Sequence, residues 1–254
     1  MIEAYTLFSG SSGNSLLVRS GSAAVLMDAG RSRKAVLAGL SEAGVSPSDL
    51  AAVFVTHEHT DHISALAQLV KHEHLPIHAA SRTAGYLSEL LPDSAVEIHP
   101  PLYTVQVGSL TVTSFPLPHD SLCHVGYRFE DGDGDAFCAA TDMGHVTDEV
   151  KAALCGCRGA LLESNHDVEM LRFGPYPAIL KSRILSPRGH LSNEDCASLA
   201  LYAAMQGVTH IGLGHLSAEN NTPELALAAA ERALSGSPVS SLTVCARANV
   251  TRIL

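Results

Sequence analysis

Residues 52–62 read AVFVTHEHTDH, in which a short apolar run leads directly into a dense cluster of titratable side chains. The apolar residues 52–55 have the composition of a buried strand. The cluster after them consists of His57, Glu58, His59, Asp61 and His62. Burying so many polar groups without partners costs free energy, so something must bind them. This segment limits the chain to folds that end a core strand at a polar site.

The spacing His-x-His-x-Asp-His suits a pair of metal ions. In an extended segment His57 and His59 project to the same side, because side chains alternate with a period of two. Asp61 and His62 then fall at the start of the next helix and point elsewhere. One segment thus offers two imidazoles to one metal and a carboxylate plus an imidazole to another. Neutral histidine and carboxylate suit zinc, manganese or iron.

A two-metal site needs further ligands, and three residues at predicted strand ends supply them. His119 follows the run Phe115 to Pro118, Asp142 follows Phe137 to Thr141, and His215 follows Ile211 to Gly214. Each residue alone is an ordinary loop or capping residue. Together, and in this order, they complete a plausible ligand set.

Composition restricts the function classes. The formal net charge is −10, with 26 acidic and 16 basic residues, which excludes a broad basic face for nucleic acid. Fourteen histidines are an unusual number and favour metal binding. We expect a cytoplasmic protein without membrane contact, because no signal peptide or membrane-length apolar run is present and six cysteines suit a reducing compartment.

Alternating apolar runs and helical patterns predict an α/β protein. Strand-like runs recur in both halves of the chain, and helical periodicity is clearest over 33–43, 63–72, 82–90, 193–205 and 223–234. Ser192 and Thr222 are the predicted caps of the last two helices. No linker divides the chain, so we expect one domain over 1–254, with two sheets packed face to face and flanked by helices.

The ordered set of metal-binding residues resembles the metallo-β-lactamase-fold hydrolases. Five further motifs narrow the likeness to the YycJ/WalJ branch of that fold. They are FSGSSGNS (8–15), ATD (140–142), LESNHD (162–167), RGHLSN (188–193) and HLSAENN (215–221). These motifs cover nearly the entire chain and are more specific than the histidine cluster.

The resemblance implies a four-layer αββα sandwich with two divalent metal ions, zinc or manganese. His57, His59 and His119 would hold one ion, and Asp61, His62 and His215 the other, with Asp142 bridging them. The branch is treated as nucleases that degrade DNA from a 5′ end. The expected activity is therefore that of a dinuclear phosphodiesterase, a 5′-3′ exodeoxyribonuclease acting on single-stranded or 5′-ended DNA through a hydroxide shared by the metals. Asp61 and Asp142 would orient that hydroxide.

Further residues are candidates for catalysis and substrate contact. His190 precedes a predicted helix start and is the candidate general acid, and Glu163 would fix its orientation. The Gly/Ser loop at 10–15 and the acid-free basic stretch at 170–193 are expected to meet the phosphate backbone. The predicted substrate contacts are Ser11, Ser12, Asn14, His166, Arg172, Arg188 and Asn220.

Other functions stay open from the residues alone. The same metals hydrolyse small thioesters, lactones or cyclic nucleotides, and a ribonuclease would use the same ligands. A non-hydrolytic module is the third class, although a full set of seven ligands argues against it. Only 22 residues separate His119 from Asp142, too few for the long tRNA-gripping arm of many ribonucleases Z. The basic stretch and His190 favour nucleic acid over a small substrate.

Overall fold

The structure of the protein, a computed structural model, describes residues 1–92 and 94–254 and is built on two seven-stranded sheets. The first sheet contains β1 (Ile2–Phe8), β2 (Ser15–Ser20), β3 (Ala23–Met27), β4 (Leu50–Val55), β5 (Ile77–Ala80), β6 (Val96–His99) and β14 (Thr251–Arg252). The second contains β7 (Thr104–Val107), β8 (Leu110–Pro116), β9 (Val125–Asp131), β10 (Ala136–Ala140), β11 (Gly159–Glu163), β12 (His210–Gly214) and β13 (Ser241–Val244).

Helices cover the outer faces of the sheets. They are α1 (Arg33–Glu42), α2 (Thr60–Ile63), α3 (Leu66–Glu73), α4 (Ser81–Leu90), α5 (Asp148–Leu154), α6 (Val168–Phe173), α7 (Ala178–Ile184), α8 (Asn193–Met205) and α9 (Pro223–Ala233), with a 3₁₀ turn at Pro47–Asp49. The predicted caps are confirmed, since the hydroxyl of Ser192 accepts from the amide of Asp195 and that of Thr222 from Leu225.

One predicted helix, over 63–72, is in fact two. The amide of Ala65 donates to the carbonyl of Ala29 at 2.8 Å, which ties the chain to the segment after β3 between α2 and α3. The periodicity of the sequence continues across this break because both short helices bury their apolar side chains in the same core. Helices α5, α6 and α7 were not among the predicted ones.

Strand direction brings the polar ends of both sheets to one edge. The first sheet has the order β14-β1-β2-β3-β4-β5-β6, and β3 to β6 run parallel. The second has the order β13-β12-β11-β10-β9-β8-β7, and β10 to β13 run parallel. Parallel neighbours end at the same edge of a sheet, so the residues that follow β3, β4, β10, β11 and β12 gather there.

Three apolar layers separate the four layers of secondary structure. In β4, Val53 and Val55 pack against the helices, whereas Ala52 and Phe54 face the second sheet. The same alternation in β11 places Leu161 between the sheets. Strands covered on both faces read as continuous apolar runs, which is why the sequence showed no polar alternation in them. The predicted four-layer αββα sandwich is confirmed.

None of the helices within residues 1–92 and 94–254 is both long and apolar enough to cross a bilayer.

Candidate active site

The structure brings all seven predicted ligands together at the shared edge of the two sheets. Three groups of donors, each with its atoms within 4.8 Å of one another, contain them: His57, His59 and His119; His57, His62 and Asp142; Asp61, His62 and His215. A fourth such group joins Asp142, Glu163, His190 and His215. The polar cluster that follows β4 therefore meets residues that lie up to 158 positions away along the chain.

The first group is made of three imidazoles. The ring of His57 lies 4.4 Å from that of His59 and 5.2 Å from that of His119, centroid to centroid. Nδ1 of His57 donates to the hydroxyl of Thr56 at 2.9 Å, and Nδ1 of His119 donates to the carbonyl of Gly189 at 3.0 Å. Each bond leaves Nε2 as the nitrogen available to a ligand.

The second group combines a carboxylate with two imidazoles. Oδ2 of Asp61 lies 3.4 Å from Nε2 of His62 and 3.6 Å from Nε2 of His215. The other nitrogen of His62 is 2.8 Å from the carboxylate of Asp28, a residue that is fully buried. Asp28 thereby sets the tautomer and the ring orientation of His62.

Asp142 links the two groups, since its carboxylate shares a donor set with His57 of the first group and His62 of the second. Its Oδ2 is 3.3 Å from Nε2 of His62, and its Oδ1 is 3.3 Å from Nδ1 of His215. Asp28, Asp142 and His215 share a left-handed backbone, with φ of 61°, 61° and 55°. Non-glycine residues adopt this conformation at a cost, and such strain gathers at functional sites. Here it marks the point where three strands end at the cluster.

The donor atoms fit metal ions. In the described part of the chain, four buried atoms of this cluster lack a hydrogen-bond partner: Nε2 of His57, His119 and His215, and Oδ2 of Asp142. Buried polar atoms are rarely left unpaired in proteins, so a set of convergent ones indicates a missing partner. Imidazole nitrogen and carboxylate oxygen are donors that zinc and manganese accept.

The pKa values of two histidines in the cluster also agree with metal binding. Burial holds the pKa of the His57 imidazole well below its usual value, so this ring is neutral, the form that binds metal. Burial also lowers the pKa of His215, but the carboxylates of Asp142, Asp61 and Glu163 outweigh it and raise the pKa to about 10. The acidic side of the cluster thus attracts positive charge, which protons supply when no metal is bound.

Glu163 connects two histidines of the site. Its Oε1 accepts from Nδ1 of His190 at 2.7 Å and from Nδ1 of His215 at 3.1 Å. Its Oε2 accepts from the amides of Met143 and Leu191, at 2.7 and 3.3 Å. The predicted contact between Glu163 and His190 is present, and the contact with His215 is an addition.

Sequence reasoning missed two buried residues of the site. Asp28 bonds His62 and also accepts from the amide and hydroxyl of Thr56, at 2.8 and 2.9 Å. It ends a strand as Asp142 does, and the same pattern would have found it. His124 packs 4.4 Å from His57 and donates from Nε2 to the carbonyl of Thr141 at 2.8 Å. No motif marks His124 in the sequence.

A cavity of about 230 Å³ opens over the ligand cluster. One wall is apolar and is formed by Tyr176, Leu180 and Ile184 from α7 and the segment before it. The remaining lining is polar and comprises Ser11, His59, Asp61, Asp142, Asn165, Arg183, His190, His215 and Ser217. Ligands and general-acid candidate therefore face the same space.

Of the predicted substrate contacts, Ser11 alone lines this cavity, and Ser12, the next residue in the chain, is exposed. Asn14 is buried and bonds Asp61 and His62, at 3.2 and 3.1 Å, so it positions these two side chains. His166 and Asn220 are also buried, away from the lining. Their polarity suggested a substrate role, but the fold places all three inside.

The two predicted arginines do not face the cavity either. Arg188 donates from Nε and Nη2 to the carbonyl of His119, at 2.9 and 2.7 Å. Arg172 is exposed on α6 and lies 3.8 Å from Glu169. Elsewhere in the basic stretch, Lys181 donates to two main-chain carbonyls and Arg183 pairs with Asp120. Hydrogen bonds within the protein thus occupy most of these cations.

The fold and this cluster define a metal-dependent hydrolase, and the chain belongs to the β-lactamase superfamily, whose domain model matches residues 24–215. The chain is 39% identical to exodeoxyribonuclease WalJ of Streptococcus pneumoniae serotype 2 (strain D39 / NCTC 7466) over 226 residues, 87% of this chain and 83% of that protein. It is 38% identical to exodeoxyribonuclease YycJ of Bacillus anthracis over 223 residues, 87% and 84% of the two chains.

A solved structure supports the fold. The metallo-β-lactamase-fold protein YhfI of Bacillus subtilis superposes with a TM-score of 0.77 over 99% of both chains, at 18% sequence identity. At that identity the likeness concerns the fold. The match to the superfamily domain and the identity to the two exodeoxyribonucleases confirm the predicted family and the predicted metal-dependent hydrolase.

Proposed function

We propose that the protein is an exodeoxyribonuclease that removes nucleotides from 5′ ends of single-stranded DNA, using two divalent metal ions, zinc or manganese. The observation that carries this proposal is the complete ligand cluster in a chain 39% identical to a protein named as an exodeoxyribonuclease. The metal-dependent nuclease that the sequence motifs predict agrees with this similarity.

Two ligand groups that share a carboxylate support two ions. His57, His59 and His119 would hold one, and Asp61, His62 and His215 the other, with Asp142 contributing to both. When bound, such ions activate water and neutralise charge on a phosphodiester. Asp61 and Asp142, whose carboxylates both lie beside Nε2 of His62, would orient the attacking water.

His190 would deliver a proton to the leaving oxygen. Its Nδ1 is held by Glu163, and the ring lines the cavity with a side chain that is 19% exposed. Nε2 is then the nitrogen that can reach a substrate oxygen. Glu163 would stabilise the imidazolium and keep the ring oriented, the arrangement that general acid catalysis requires.

The cavity supports an unpaired strand end. Its volume of about 230 Å³ suits a single nucleotide better than a base pair. Tyr176 and Leu180 offer a surface on which a base can stack, while the ligands lie on the polar side. The cytosol is the proposed compartment, since all six cysteines are free thiols.

The test is digestion of 5′-phosphorylated single-stranded DNA, labelled at either end, by metal-stripped protein with Mn²⁺ or Zn²⁺ restored. We expect progressive release of nucleotides from the 5′ end, abolished in Asp142→Ala. Asp133→Ala, an exposed carboxylate in the turn between β9 and β10, is the matched control and should stay active.

Two outcomes would contradict the proposal. Release of nucleotides from the 3′ end would contradict the proposed 5′-3′ direction of digestion. Turnover of RNA, a thioester, a lactone or a cyclic nucleotide, with no DNA cleaved, would assign the same cluster to a different substrate.

A further inference from the structure

Two arginines beside the cavity take no part in the site described above. Arg247 donates from Nη2 to the carbonyl of Ser217 at 2.6 Å, and Ser217 lines the cavity. Arg31 donates from Nη1 to the carbonyl of Arg247 at 3.4 Å. The side chain of Arg31 therefore contacts the backbone of Arg247, although 216 positions separate the two residues in the sequence.

These two arginines lack counter-charges. Across 1–92 and 94–254, neither has a carboxylate within 4.0 Å. Other arginines do, such as Arg19 with Glu3 at 2.8 Å and Arg158 with Asp135 at 2.6 Å. Among the described residues Arg82, Arg188 and Arg232 also have no carboxylate within 4.0 Å, so Arg31 and Arg247 are set apart by their place beside the cavity, where Arg247 bonds Ser217. Arginine side chains without a carboxylate partner are available to bind an anion.

Both side chains lie against the Gly/Ser loop. A Cβ on Gly13 would lie 2.1 Å from Cγ of Arg31, and one on Gly10 would lie 3.5 Å from Cγ of Arg247. The glycine at position 13 is thus required for Arg31 to pack there. Between these glycines the loop carries the exposed hydroxyls of Ser11 and Ser12. Hydroxyl donors and guanidinium groups together form a surface suited to phosphate oxygens.

The backbone at Arg31 is strained, with φ of 60°. Glycine would adopt this conformation at lower cost. Neighbouring bonds hold the segment in place, since the amide of Gly30 donates to the carbonyl of Asn14 at 2.9 Å. The guanidinium lies 5.5 Å from the ring of Phe8, which accounts for part of its placement. Strain next to a catalytic cavity is a reason to look for a functional role of the side chain.

We propose that Arg31 and Arg247, with the hydroxyls of Ser11 and Ser12, form a phosphate track that holds the backbone of a DNA strand beside the cavity. Its ligand is the phosphodiester chain flanking the nucleotide in the cavity. The inference rests on the proposed nuclease function and locates its substrate-binding surface. The predicted contacts Arg172 and Arg188 of the basic stretch at 170–193 do not line the cavity, whereas Arg247 bonds Ser217, which does.

The test compares Arg31→Asn, Arg247→Gln and the double variant with wild type. Asparagine tolerates the left-handed backbone at position 31, and glutamine can still donate to the carbonyl of Ser217. We expect the double variant to raise KM for single-stranded DNA about 10-fold, with kcat nearly unchanged. The slope of log KM against log salt should fall by about 1.4, or about 0.7 for each lost phosphate contact.

Control variants distinguish the loss of positive charge from a change in the structure of the protein. Arg232→Gln removes an exposed arginine on α9, away from the cavity lining, and should leave KM and the salt slope unchanged. Arg31→Lys and Arg247→Lys should retain most of the affinity, because lysine keeps the charge. Hydrolysis of bis(p-nitrophenyl) phosphate, which has no extended backbone, should be the same in every one of these variants.

An unchanged KM and salt slope in the double variant would overturn the phosphate track. If Arg31→Asn lowers the melting temperature, Arg247→Gln decides by itself, since that side chain is exposed. Wild-type protein that hydrolyses the small ester but no DNA would overturn the proposed function, and the track with it.

Discussion

The carboxylate of Glu163 lies 2.7 Å from Nδ1 of His190 and is itself held from behind by two backbone amides. Glu163 is fully buried, whereas His190 is partly open to the cavity. Glu163 thus holds the imidazole ring of His190 at the cavity wall from a buried position that no substrate can reach. It is the geometry of a histidine whose orientation is set before the substrate arrives.

His190→Ala and Glu163→Gln should each slow DNA cleavage by about 10²-fold, the usual share of a general acid. The double variant should be no slower than the slower single one, because residues that act as a unit are not additive. Single-turnover rates measure this. Metal content, measured by mass spectrometry, should stay at the wild-type level in His190→Ala; a loss would show that His190 is a ligand.

Asp28→Asn should weaken metal binding about 10- to 100-fold, the usual effect of changing a residue that orients a metal-binding histidine. The amide cannot hold Nδ1 of His62 as the carboxylate does, at 2.8 Å. Asparagine keeps the size of the side chain and tolerates the left-handed φ of 61°. Competition with a chelator measures the affinity. Equal affinity in the variant and wild type would show that Asp28 serves folding alone.

Gly30→Ala should displace Asp61. The added Cβ would lie 2.0 Å from the carbonyl oxygen of Asp61 and 2.6 Å from the amide of Asn14. We expect a loss of stability of about 1–3 kcal/mol or more, as for other overpacked sites, together with reduced metal content. Gly132→Ala is the control, since its Cβ meets nothing within 4 Å. Thermal unfolding with and without metal separates the two effects, and a normal metal content in Gly30→Ala would contradict the expectation.

Metal binding should release protons. Carboxylates raise the pKa of His215 to about 10 in the metal-free protein, against the opposite effect of burial, so the ring carries a proton at pH 7. A metal binds the neutral ring and must displace that proton, hence the affinity should rise with pH. Calorimetric titration of Zn²⁺ in two buffers of different ionisation enthalpy measures the release. Identical heats in both buffers would contradict this.

The clustering of the proposed ligands could be predicted from the sequence because their signal is local. His57, His59, Asp61 and His62 occur in one segment, and a strand end can be recognised from the apolar run before it. Parallel strands then bring such ends to one edge without further information. Asp28 follows the same rule and was overlooked, whereas the break between α2 and α3 depends on a distant carbonyl that local periodicity does not report.

Only the tertiary structure decided which polar residues face the cavity. Asn14 and Asn220 are polar residues of the kind that contact substrates, but both are buried. Arg188 donates to a main-chain carbonyl. By contrast, Arg31 and Arg247, far apart in the sequence, become neighbours. The sequence by itself therefore determined which residues could serve as metal ligands and which strands carry them. The position of each cation depended on long-range packing, because a charged side chain takes its partner from whatever the fold places nearby.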